Sequence, residues 1–228
     1  MNRARTEPVS IAVFARAPVP GKAKTRLIPS LGAEGAARLQ QAFTLRALRT
    51  AHDAGLGPIS LWCAPDRGHP LFRRCGREQG VALHAQTGAD LGERMFDAFS
   101  ILCARGPALL IGTDCPALTP RLLAEAAETL RSGRDAVFLP AEDGGYVLAG
   151  LRRAEARLFE AMPWGSPRVM AITRERLLDA GLRWEEPART WDVDTPADLR
   201  RLRDSGLMAA CLGEAGVAAL AGNETAPP

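Results

Sequence analysis

Lys22 and Lys24 are the only lysines in a chain of 228 residues whose Lys+Arg total is 29. They stand two apart in ARAPVPGKAKTRL, Ala15 to Leu27, between Arg16 and Arg26, and no acidic residue occurs from Glu7 to Glu34. Arginine serves everywhere else, so two ammonium groups in a loop broken by Pro18, Pro20 and Gly21 suggest compact point charges set to grip an anion such as a polyphosphate. This is not a Walker A loop, because alanine follows Lys22 and Arg16 stands five before Gly21, where a glycine would be needed. A solvated basic surface loop is the plain alternative.

Carboxylates supply the opposite charge. In LLIGTDCPAL, Leu109 to Leu118, an apolar run delivers Asp114 at its tip and Pro116 ends any pairing. Such a carboxylate can hold Mg²⁺ or Mn²⁺ while the ion bridges phosphate oxygens; the alternative is an aspartate that caps a turn. Magnesium takes one or two carboxylates, which calls for a second acid. Asp192 and Asp194 alternate in WDVDTPADL, Trp191 to Leu199, and point to one side if the backbone stays extended, with Asp194 favoured as the second ligand. The same stretch contains Thr195-Pro196-Ala197-Asp198, a capping-box helix start that accounts for Asp198. Asp143, Gly144, Gly145 and Tyr146, the single tyrosine, read either as an acceptor pocket that backbone can approach closely or as an Asp-Gly hairpin turn. Cys115 has no histidine near it in sequence and is not read as a nucleophile.

These residues must be positioned by the elements around them. VSIAVFA, Val9 to Ala15, is a near-continuous apolar run of the kind found in a parallel strand buried on both faces. Similar short runs occur at Ile59 to Ala64, Val81 to Ala85, Ala108 to Gly112 and Asp135 to Pro140. Helical spacing separates them at Gly35 to Ala54, Pro70 to Gln79, Leu91 to Ala104 and Pro120 to Leu130. Strand and helix alternate, so a doubly wound α/β sheet is expected, with the basic loop at the carboxyl end of its first strand, where such sheets bind ligands. After Gly145 the rhythm changes to a short strand, further helices and a last strand near Leu182 to Trp191, an α+β extension. One domain over residues 1–222 with a frayed tail at 223–228 is expected, since no linker or repeat divides the chain.

Composition narrows the function classes. A net charge of +3, from 29 basic against 26 acidic residues, points away from a general nucleic-acid or membrane-surface binder. The chain shows no bilayer-length apolar run and no signal-peptide core at its start, so a cytoplasmic protein is expected. Five widely spaced cysteines without a C-x-x-C pair argue for reduced thiols.

Six segments in order, ARAPVPGKAKTRL, QTGADLGERM (Gln86 to Met95), IGTDCPALTP (Ile111 to Pro120), EDGGYVLAGL (Glu142 to Leu151), PWGSPRV (Pro163 to Val169) and DVDTPADL (Asp192 to Leu199), resemble a bacterial family of uncharacterised GT-A-like transferases. That family is grouped with the nucleotide-diphospho-sugar transferases and is sometimes described as glycosyltransferases linked to arsenosugar or radical-SAM gene clusters. The KAKTRL and TDCPAL segments also look like those of the molybdenum-cofactor and 2-phospholactate guanylyltransferases. The resemblance implies a GT-A-like three-layer α/β/α sandwich with a mostly parallel sheet. It implies that Arg16, Gly21, Lys22, Lys24 and Arg26 hold the phosphates, that Gly88, Leu91 and Gly92 lie near the nucleobase with Gln86 and Arg94 as weaker candidates, and that Asp114, with Asp194, holds the metal. GT-A glycosyltransferases usually carry a D-x-D motif after the central strand; here Cys115 and Pro116 follow Asp114. The expected chemistry is therefore nucleotidyl transfer from a nucleoside triphosphate to a small anionic metabolite, with glycosyl transfer from a nucleotide sugar, or nucleotide binding without turnover, as the alternatives.

Overall fold

The apolar run that begins at Ser10 forms the central strand of a seven-stranded sheet in the computed structural model, which describes residues 7–213. Strand β1 (Ser10–Arg16) is buried through Ile11 to Ala15. It is flanked by β2 (Ile59–Ala64) and β4 (Ala108–Ile111), both parallel to it, with Val13 opposite Leu61 on one side and Ile111 on the other. With β3 (Ala82–Ala85), β5 (Ala136–Pro140), β6 (Tyr146–Leu151) and β7 (Trp184–Glu185), the order is β3-β2-β1-β4-β6-β5-β7. Only β6 runs against its neighbours, pairing antiparallel with both β4 and β5. The sheet progresses outward from β1 to β2 and β3, then restarts at β4 on the other side. The gap between the carboxyl ends of β1 and β4 is therefore the switch point where a crevice forms.

Helices cover both faces. Alternate residues of β1 split between two cores, as the two-residue period of a strand requires. Ile11 and Val13 meet α1 (Ile28–Ala54), α2 (Pro70–Gln79) and α4 (Pro120–Arg131) through Leu48, Phe72 and Leu123. Ala12 and Phe14 meet α3 (Leu91–Cys103) and α5 (Val169–Asp179) through Phe99 and Leu177. A third cluster joins Leu31, Leu39 and Phe43 of α1 to Val193 and to Leu199 and Leu202 of α6 (Pro196–Asp204), fastening the last part of the described chain beside the basic loop. The expected three-layer α/β/α architecture is the observed one. No helix among the described residues is long and apolar enough to cross a membrane.

Two elements differ from the sequence expectation. The last strand, expected near Leu182 to Trp191, pairs with β5 only at Trp184–Glu185, and beyond it only the Ala141–Thr190 bridge forms. Pro187 lies between them and cannot donate to a ladder. Helix α1 begins at Ile28, earlier than Gly35, because Pro29 starts a first turn that is kinked at Gly32 (φ 69°, ψ 167°) before the regular apolar spacing takes over. The expected tail at 223–228 lies outside the described residues.

Candidate active site

Turns after β1 put the two lysines in different places. Val19 O accepts from the backbone N–H groups of both Lys22 and Ala23, and Gly21 takes φ 78° to close that turn. Lys24 itself lies in the left-handed region (φ 47°, ψ 45°), a conformation that costs a non-glycine residue about 1 kcal/mol or more and persists only where the surroundings hold it. What holds it is its own side chain. Lys24 Nζ sits 2.9 Å from Asp114 Oδ1 and 2.9 Å from Asp194 Oδ1, donates to Val193 O as well, and lies 5.6 Å from the centre of the Phe43 ring. The Lys24 side chain is 4% exposed, whereas the two carboxylates are 42% and 40% exposed. Burial works against the ammonium, yet the Asp114 and Asp194 charges together outweigh it and hold its pKa above the usual lysine value. Lys22, by contrast, is exposed.

Each carboxylate is fixed from behind. Asp114 leaves the end of β4, and its carbonyl accepts from Val193 N at 2.8 Å, which lays the Asp192–Asp194 stretch alongside it. A buried chain then runs into Asp114: Gln40 of α1 donates to Thr113 Oγ1 at 3.0 Å, and the Thr113 hydroxyl donates to Asp114 Oδ1 at 3.1 Å. Asp194 is set by the helix start that follows it. Thr195 and Asp198 form a capping box, and Asp198 Oδ2 also accepts from Asp194 N at 3.2 Å. Asp192 lies near the same group; burial first, then the charges of Asp143 and Asp194, push its carboxyl up to about 6. Gln40, Thr113 and Val193 were not among the sequence candidates. Gln40 had a signal, being polar on the helix face that carries Ala36, Leu39 and Phe43, where it is now buried.

The result is one cleft of about 650 Å³ across the carboxyl ends of β1, β2 and β4. Arg16, Lys22, Lys24, Arg26, Gln86, Leu91, Arg94, Asp114, Tyr146, Asp192 and Asp194 all line it. Other candidates have different surroundings. Gly88 and Gly92 shape the start of α3: Asp90 caps it by accepting from Glu93 N, and Arg94 Nε donates to Gly88 O at 3.0 Å. A Cβ at Gly92 would come within 2.4 Å of Phe159 O, so packing requires the glycine there. Asp143 and Gly145 stand at a side pocket of the cleft with Tyr146. Gly144 faces another hollow, against Pro167, and is not at the cleft. The Asp143–Gly145 turn joins β5 and β6, so the hairpin reading of that motif holds as structure while Tyr146 still reaches the cleft. Cys115 is a free thiol that burial pushes upward in pKa, which leaves it a poor nucleophile.

Residues 44–166 match the family model described as "Uncharacterized protein conserved in bacteria (DUF2064)". A crystal structure from Desulfovibrio desulfuricans G20, of a proposed nucleotide-diphospho-sugar transferase, aligns over 94% of each chain at 30% identity with a TM-score of 0.83. The chain belongs to the DUF2064 family. More remote likeness extends to CMP:2-keto-3-deoxy-manno-octonic acid synthetase complexed with CTP, at 18% identity over 89% of this chain and 99% of that one with a TM-score of 0.54. A cytidylyltransferase from Leptospira borgpetersenii is similar at 12% identity, 96% and 99% coverage and a TM-score of 0.56. At these identities the likeness shows the fold that this DUF2064 chain shares with them. No curated protein matches the sequence. The gene-cluster association and the guanylyltransferase likeness expected from sequence are not carried by these matches.

Proposed function

We propose that this DUF2064 protein transfers a nucleotidyl group from a nucleoside triphosphate to a small-molecule acceptor and releases pyrophosphate, with Mg²⁺ or Mn²⁺ as cofactor. One observation carries the reading. At the switch point of the sheet, one carboxylate from the middle of the chain and one from its last part converge on a single cationic nitrogen, beside a wall of exposed Arg16, Lys22 and Arg26. The nucleotide-binding neighbours that share the fold agree with it.

The donor set fits a divalent ion. Asp114 and Asp194 each give Oδ1 to Lys24 and remain two-fifths exposed to the cleft, which leaves hard carboxylate oxygen for Mg²⁺ with its preference for one or two carboxylates plus water and phosphate oxygens. Among the described residues no group of three or more His, Cys, Asp or Glu is arranged to hold a metal, so phosphate oxygens would complete the shell. When bound, the ion would neutralise charge developing on the phosphates.

The chain's own residues do the rest. Lys24 keeps the two carboxylates at one spacing and orientation, a positioning role rather than direct contact with phosphate. Arg16, Lys22 and Arg26 face the cleft, in no salt bridge among the described residues, and stabilise the pyrophosphate leaving group, and little covalent chemistry is asked of the protein. An acceptor oxygen forms a bond to the α-phosphorus. The bond from that phosphorus to the bridging oxygen breaks, its electron pair leaves with pyrophosphate, and the acceptor proton passes to solvent.

Glycosyl transfer from a nucleotide sugar is the second reading. It is favoured by Asp194, which supplies beside Asp114 the second carboxylate that a D-x-D motif would have provided, and by the description of the Desulfovibrio relative. Products separate the two: nucleotidyl transfer yields pyrophosphate and glycosyl transfer a nucleoside diphosphate. Pyrophosphate formed with acceptor and triphosphate supports the first reading, nucleoside diphosphate formed from a nucleotide sugar replaces it with the second, and tight binding without either product indicates a regulator.

A further inference from the structure

A side pocket of about 200 Å³ opens off the cleft between β6, the start of α3 and the turn before α5. Phe14, Leu91, Tyr146 and Val147 belong to both spaces, so a molecule in the pocket lies beside the carboxylate centre. The deeper wall is Met95, Trp164 and Val169, and the rings of Tyr146 and Trp164 meet edge to face at 6.3 Å. An apolar cavity of ~150 Å³ is enough for a benzene ring, so this one takes a ring or a compact branched group with a substituent.

The side pocket and the main cleft carry different charges. No lysine, arginine or histidine lines the side pocket, and its one charged side chain is Asp143. Arg16, Lys22, Arg26 and Arg94 line the main cleft, and Lys24 is held by Asp114 and Asp194. Asp192 shares the neighbourhood of Asp143, Asp194 and Asp114. Asp143 is thus the one charge on the pocket wall, and Asp192, which feels it, lies in the adjoining cleft. The Arg176 charge reaches Tyr146, but Arg176 does not line the pocket. Among the described residues the Tyr146 hydroxyl donates to the sulfur of Met95, at 3.8 Å, a weak acceptor, and its oxygen remains able to accept from a ligand hydroxyl.

Resting on the transferase reading above, we infer that the acceptor is a neutral or cationic hydroxyl compound with an aromatic or compact apolar body, seated in this side pocket. The phosphate- or carboxylate-bearing metabolite expected from sequence would meet the Asp143 charge there and, among the described residues, no basic side chain on the pocket wall.

Three probes of one shape test this: benzyl alcohol, benzylamine and benzoate, followed by ligand-observed NMR on the full chain loaded with Mg²⁺ and a non-hydrolysable α,β-methylene triphosphate. Expected are binding of the alcohol and the amine, and binding of benzoate weaker by about tenfold or more. Asp143→Asn keeps a side-chain oxygen for Gly145 N while removing the charge, and it should recover benzoate binding severalfold. Leu91→Trp, at an exposed rim position, should block all three probes. Benzoate binding as tightly as the alcohol, binding of none of the three, or expulsion of the alcohol by the nucleotide would each overturn the inference. The same samples report on nucleotide: a protein that takes none overturns the transferase reading, whereas one that takes nucleotide and shows no preference against benzoate overturns the acceptor class alone.

Discussion

Lys22 and Lys24 are equivalent as letters and opposite as physical objects. Lys24 is buried between two carboxylates, and its removal leaves like charges facing each other. Breaking a buried pair costs ~3–5 kcal/mol, but partners two-fifths exposed are screened, so Lys24→Met should cost about 1–3 kcal/mol in denaturant unfolding. Added Mn²⁺ should restore part of that loss by replacing the missing positive charge. A Lys24→Met protein of unchanged stability would show that the ammonium does not organise the carboxylates. Lys22→Ala should leave stability within about 0.5 kcal/mol and weaken triphosphate binding roughly tenfold, the weight of one charge-assisted hydrogen bond. Tyr146 offers a spectroscopic check, since no other tyrosine contributes phenolate absorbance. Burial raises its pKa and the Arg176 charge only partly opposes this. The unfolded chain releases the phenol proton near pH ~10 while the native chain retains it, so stability is full below that pH and falls as pH rises beyond it. Alkaline titration of the native protein should show phenolate only above the ordinary range, and Tyr146→Phe should flatten the alkaline loss of stability. A native phenol that titrates near 10 would contradict the desolvation of this half-buried side chain.

At the scale of elements, much of the scaffold is readable from the chain. The apolar runs of β1, β2 and β4, the Thr195-Pro196 helix start, and the alternation of strand with helix all stand in the structure where local physics puts them. The β5–β6 turn shows where legibility ends. Asp143-Gly144-Gly145 announces a turn, yet only the structure shows why its middle residue is glycine: φ is +93°, and a Cβ there would fall 2.1 Å from Pro167 O. Gly144→Ala should therefore destabilise by more than the ~1 kcal/mol of an ordinary glycine substitution and shift the turn beside Tyr146, measurable as a lowered unfolding midpoint. A neutral effect would mean that the 163–168 stretch yields freely. Likewise, nothing local in PVPGKAKTR says which lysine turns inward. That is decided by contacts to Asp194, some 170 residues away, and such a pairing leaves no mark in the spacing.

For the whole molecule, the strand order places the β1 and β4 ends side by side, and the third hydrophobic cluster carries Val193 and α6 back to them. Site residues from the two ends of the chain thus meet because a sheet with a switch point and a returning helix leaves one crevice for both. The sequence pairs Asp114 with Asp194 by chemistry alone; the fold supplies their common point at Lys24. Calorimetric titration with each nucleoside triphosphate and with nucleotide diphosphate sugars, with and without Mg²⁺, on the native protein and on Asp114→Ala, tests the central claim most directly. The expected result is binding of one triphosphate that needs the metal and is weakened by about tenfold or more in Asp114→Ala. Triphosphate binding indifferent to both the metal and Asp114, or none at all, would contradict it.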